Sequence, residues 1–137
     1  MKKETFKKIV ILQLVLLPIY VIKGIMYPYH FAPEELKKAM LMFDELQPLP
    51  DTFILFLLII FLLAYIISLF LLYRLNYYGR LIFLWTTIFS FIFVFSSSYY
   101  VFVFDSIDYL LEFFGSLITG FTIAVSYFSP ISKQFKK

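Results

Sequence analysis

The residues best placed to do chemistry stand in one apolar run, Asp108 to Ser129, which carries polar and small residues along a complete side. Asp108, Glu112, Gly115, Thr119, Thr122 and Ser126 follow one another at steps of three or four, so a helix puts all six on one stripe. Glu112 is the candidate with chemistry to offer, because an ionisable group at membrane depth is by default a functional site whose partner has to be named. Its partners would come from other helices: Gln13, Tyr20, Lys23, Ser90 or the serines at positions 96 to 98. Such a carboxylate could hold an ion or a proton. The competing reading is interfacial: the apolar sequence after it, Phe113 to Phe128, covers only about 24 Å as helix, which leaves Glu112 near the membrane boundary or in a structural pair with Lys23. The opposite side, Leu111, Phe114, Leu117, Ile118, Phe121 and Val125, suits lipid or the large side chains of a neighbour.

Other chemistries lack their parts. The absence of cysteine removes disulfides, thiol redox chemistry and thiolate metal sites together. One histidine, His30, is too few for a pair of axial haem ligands, and no Gly-rich phosphate cradle or nucleophile–histidine pair can be assembled. Met26, His30, Met40 and Met42 are soft donors of the kind copper takes, but their spacing is loose, and methionines on an amphipathic helix usually pack. The expectation is a protein with no catalytic residues, cofactor or metal. Serines and threonines in apolar helices mostly bond backbone or neighbouring helices.

The elements that position these residues follow from composition. The chain is 62% hydrophobic with a mean hydropathy of +0.89, against roughly 45–50% apolar residues in a soluble domain. Its solvent is a bilayer, and a span takes about 20 apolar residues. Four runs qualify, at about 6–26, 52–73, 81–104 and 108–129, and together they predict one all-α membrane domain, a four-transmembrane-helix bundle. Pro18 should kink the first span, and Gln13 inside it wants a partner from another helix. Between the first two spans, Pro33, Glu34 and Glu35 open a short amphipathic helix, about 33–46, too short to cross and suited to the outer membrane face. The connection Arg74 to Arg80 is tight and makes spans two and three antiparallel neighbours, with the arginines near lipid phosphates. Thr87 and Ser90 of the third span face the stripe of the fourth. Pro130 discourages continuation of the fourth.

Charge sets the orientation. One side of the four spans carries nine basic residues and one acidic, the other three basic and eight acidic. Since Lys and Arg near span ends stay cytoplasmic, both termini are expected there and the first loop outside. The net charge of +3 is accounted for by this topology and gives no reason to expect nucleic acid as a partner. The start of the third span at Gly79-Arg80, and the close of the fourth from Gly120 through Ala124 to Tyr127-Phe128-Ser129-Pro130, resemble a group of uncharacterised small bacterial membrane proteins with four spans. That resemblance implies the bacterial inner membrane and no biochemical role. Two functions remain in view: an accessory, interaction or immunity-like protein that packs against another membrane protein or itself, and an oligomeric transporter or channel lined by Glu112, Thr119, Thr122, Ser126 and Ser90. The orientation is directly checkable in this cysteine-free chain: single cysteines replacing Lys3 or Lys133 should react with a membrane-impermeant maleimide only after the cells are opened.

Overall fold

In hydrocarbon a backbone N–H finds no water, so long runs of leucine, isoleucine and phenylalanine satisfy themselves as helices. A computed structural model describes residues 2–30, 34–35, 38, 51–96 and 106–136. It contains helices α1 (Lys3–His30), α2 (Asp51–Tyr73), α3 (Tyr77–Ser96) and α4 (Ser106–Phe128), then a short 3-10 helix, Pro130–Gln134. Three of them hold segments long and apolar enough to cross a membrane, Lys3–Ile22, Leu55–Tyr73 and Leu110–Phe128. Among the described residues there is no strand. The third expected span, 81–104, runs past the end of α3 into residues outside the described set. The amphipathic helix expected at about 33–46 also lies outside it, except for Glu34, Glu35 and Lys38, whose backbone is helical.

The helices form a ring in which α1 touches α2 and α4, and α3 touches the same two. The hairpin of α2 and α3 is the most extensive contact. α1 continues without a break through Pro18, longer at both ends than the expected 6–26. The connection expected over Arg74 to Arg80 is shorter than that, because helix resumes at Tyr77. The reason is local. Leu75 takes the left-handed conformation with φ 54°, and the N–H groups of Leu75 and Asn76 donate to the carbonyls of Leu72 and Leu71 at 2.9 Å each. That pair of bonds is a Schellman ending, normally built on glycine. Burial of the Leu75 side chain, 5% exposed, offsets the backbone cost of about 1–2 kcal/mol. Asn76 then starts the next helix, its Oδ1 accepting from the Tyr78 N–H at 2.9 Å.

After α4 the chain turns back across this connection. Ser129 caps the 3-10 helix, its Oγ accepting from the Ile131 N–H at 3.2 Å, so Pro130 sits at a first helical position instead of simply ending the chain's regular structure. The Tyr77 N–H donates to the Lys136 carbonyl at 2.8 Å, and the Lys136 N–H donates to the Leu75 carbonyl at 3.0 Å. The tail is thus stitched to the α2–α3 turn. Below it lies the buried apolar core: Phe6 and Val10 of α1, Leu69 and Leu72 of α2, Leu75, Phe83 of α3, Val125 of α4 and Ile131. All of these lie at one end of the ring, the end that carries both ends of the chain.

Gly79 makes this end possible. A Cβ built on it would stand 2.6 Å from the Leu71 Cβ and 2.7 Å from the backbone of Leu71 and Leu72. Backbone cannot yield as a flexible side chain can. Gly79→Ala is therefore expected to force the α2–α3 hairpin apart, at about 3 kcal/mol by the usual cost of overpacking. A thermal midpoint measured in mild detergent that matches the parent would overturn this account of the turn.

Candidate functional site inside the bundle

Along α4 the stripe read from the sequence divides by depth. Thr122 and Ser126 are fully buried, Gly115 and Thr119 are half-buried against the ring's interior, and Glu112 is exposed. The side chain of Asp108 lies outside the described residues, as does that of Lys23, so the suggested Glu112–Lys23 pair cannot be placed. Glu112 does lie within electrostatic range of Tyr20. The opposite side divides between the two surroundings expected for it, lipid and neighbouring side chains. Phe114, Leu117 and Phe121 face outward, while Val125 belongs to the core and Ile118 lines a partly open pocket between the helices. The stripe advances 18 residues in five steps, 3.6 per step, and so keeps its direction; at 100° per residue Ile118 and Val125 lie only about 80–100° from it, on its flank, where the neighbouring helices reach them.

The hydroxyls are used locally. Thr122 donates to the Ile118 carbonyl at 2.8 Å and Ser126 to that of Ile123 at 2.9 Å. Ser90 donates to Thr87, and Thr87 to Phe83, in the same manner. These groups spend their protons on their own helices, so they offer few donors to anything passing between helices. Two tyrosines reach across the ring. The Tyr20 hydroxyl donates to the Leu111 carbonyl at 2.5 Å. Its ring lies over Gly115, where an added Cβ would meet the phenolic oxygen at 2.6 Å. Glycine at 115 is thus the seat of Tyr20, and this is what the small residue in the stripe is for. Tyr65 of α2 is hydrogen-bonded to the Thr119 side chain.

Between these contacts the ring leaves a partly open pocket. A cavity of about 360 Å³ is lined by all four helices, from Gln13 and Tyr20 of α1 through Leu58 and Tyr65 of α2 and Thr86 and Ser90 of α3 to Gly115 and Thr119 of α4. Counted along the helices it sits directly above the core of Val10, Leu69 and Phe83. Gln13, expected to bond another helix, is 5% exposed, and neither its Oε1 nor its Nε2 has a hydrogen-bond partner among the described residues. Tyr65 and Thr86 were not singled out in the sequence. The signal was available: Tyr65 and Ser68 on α2, and Phe83, Thr86 and Ser90 on α3, recur at helical spacing on faces that otherwise read as lipid.

A second polar cluster closes the base. The Arg80 guanidinium lies over three rings, with its carbon 4.6 Å from the Tyr77 centroid, 5.1 Å from Tyr127 and 5.4 Å from Phe135. Its Nη1 donates to the Ser126 carbonyl at 3.4 Å, and the Tyr127 hydroxyl donates to the Arg80 carbonyl at 3.2 Å. Arg80 faces inward, away from the lipid phosphates suggested for it, because the aromatic faces replace part of its hydration.

The Tyr20–Gly115 contact predicts coupling. Tyr20→Phe should lower stability by about 1 kcal/mol, the net worth of one hydrogen bond. Gly115→Ala should cost at least as much in the parent, since it displaces the same hydroxyl, and clearly less in the Tyr20→Phe background, giving a coupling of about 0.5–1 kcal/mol. Thermal unfolding of the four proteins closes the cycle, and strict additivity would refute the contact.

Comparison with known proteins finds no family model, no curated protein and no solved structure that matches the chain. The residues behind the resemblance to small four-span bacterial proteins have a local explanation here: Gly79 admits the α2 backbone, Arg80 and Tyr127 hold one another, and Ser129 and Pro130 begin the 3-10 helix.

Proposed function

We propose that the chain is a four-span protein of the bacterial inner membrane, with both termini cytoplasmic, that acts by helix packing as an accessory or interaction protein. An immunity-like role, shielding a membrane component from a membrane-active toxin, is one form of it. The observation that carries this reading is the outward face of α4. Ser116, Gly120 and Ala124 stand four apart and exposed, and a Cβ added at Gly120 would meet nothing within 4 Å. Small residues at that spacing let a second helix approach closely, which is how helices associate where lipid gives no hydrophobic reward. The partner is another membrane protein or a second copy. The inward stripe is a different matter: Gly115 already seats Tyr20, and Thr122 and Ser126 are enclosed above a sealed end. That enclosure weighs against the alternative of a transport pathway along Glu112, Thr119, Thr122 and Ser126, and the reading assigns no residue a catalytic part.

The two glycines separate fold from function. Gly120→Leu should leave the thermal midpoint within about 0.5 kcal/mol of the parent, as surface substitutions do, while removing a crosslinked partner seen by native mass spectrometry. Glu112→Gln should be nearly silent in the same assay. Altered ion or solute flux in Glu112→Gln liposomes, with the Gly120→Leu assembly unchanged, would favour the pathway instead.

A further inference from the structure

We propose that the seam between α1 and α2, at the end of the ring that carries both chain termini, holds one anionic phospholipid, its phosphate on Lys7 and Arg74 and an acyl chain along the outer side of the two helices. The site is independent of the α4 outer face, and only the leaflet it belongs to follows from the orientation proposed above. It stands first on Lys7. The ammonium of this α1 residue reaches α2, with Nζ 4.8 Å from the centroid of the Tyr73 ring. The ring covers one side of the ammonium and leaves N–H donors to spare. Lys3 stands one helical turn from Lys7 on the same side of α1, and Arg74 follows Tyr73 directly and is exposed. The Lys7–Tyr73 contact thus brings cations from two helices to one place on the rim. None of the three is ion-paired to an acidic side chain among the described residues.

Charge and the continuation of the seam set the occupant. This end carries nine basic residues against Glu4 alone, so a headgroup with a net negative charge is drawn to it, while the ammonium of an ethanolamine or choline headgroup is repelled. Exposed Tyr73 adds a hydroxyl at headgroup level, where it can donate to the same phosphate. One turn deeper on the same side of each helix stand Ile11 and Phe70, both exposed, so the cations sit at the head of an apolar seam. A soluble anion would use the cations alone. A phospholipid uses both. The competing occupant is an ordinary boundary lipid, attracted by the net charge of the end without being held at any one place.

The test reconstitutes the whole chain in nanodiscs of equal parts dioleoyl phosphatidylglycerol and dioleoyl phosphatidylethanolamine and identifies the lipids it retains by native mass spectrometry. Phosphatidylglycerol retained one per chain, in excess over phosphatidylethanolamine, is the expected result. Lys7→Gln combined with Arg74→Gln should cut that excess about tenfold, whereas Lys7→Arg, which keeps the charge and the contact with the ring, should preserve it. A control removes the same charge elsewhere at this end: Lys8→Gln combined with Lys133→Gln, both at exposed positions, should retain lipid as the parent does. Equal losses in the two double variants would overturn the proposal, since they would mark a diffuse attraction by net charge. So would equal retention of the two lipids by the parent, a result that needs no variant to fold.

Discussion

Everything at the closed end of this molecule depends on how near the backbone of α3 comes to the backbone of α2 at Gly79. With no Cβ there, the two helices meet at van der Waals distance one turn from their connection, and Leu75 can be turned inward by a left-handed ending that glycine would ordinarily supply. The same approach fixes Arg80, the next residue, so that its guanidinium points under the ring of helices. There it lies against Tyr77, Tyr127 and Phe135, drawn from α3, α4 and the tail. Each cation–π contact contributes about 0.5–2 kcal/mol. Their arrangement matters more than their sum, because one cation ties three segments distant in sequence to one point.

The tail completes that end. Phe135 packs edge-on against Phe6 with centroids 5.9 Å apart, so the last turn of chain touches the first. Ile131 is buried beneath it and the Lys136 backbone is paired with the α2–α3 turn. The apolar side chains that close the core are thus supplied by residues at the membrane boundary, where backbone can leave the helix because the polar groups it frees find one another.

Further into the bilayer the packing changes character. Helix association there has no hydrophobic drive, and the ring is held by close contacts at small residues and by a few cross-helix hydrogen bonds. Tyr20 on Gly115 and Tyr65 on Thr119 are of this kind. Both are long rigid side chains reaching across the ring, which props the helices apart on either side of Gln13. A ring braced by tyrosines and floored by leucine, valine and phenylalanine leaves space in its middle, and the same braces that hold α4 to its neighbours use up the inner stripe. The outer face, with Gly120, is then what α4 has left for another helix.

The sequence by itself determined the solvent, the helical class and the approximate helix positions, because hydropathy over some 20 residues and the cost of unpaired backbone in lipid admit little else. It also determined that Gly115, Thr119, Thr122 and Ser126 share one side of α4, since a helix repeat is a local property. It did not determine what that side meets. The roles of Gly115, Gly79 and Arg80, the contacts that cover Ile118 and Val125, the short turn at Leu75 and the tail folded onto it all depend on which helix faces which. The unpaired state of Gln13 belongs to the same class. A polar residue in an apolar run announces only that it wants a partner, and whether it finds one is decided by side chains fifty or a hundred positions away.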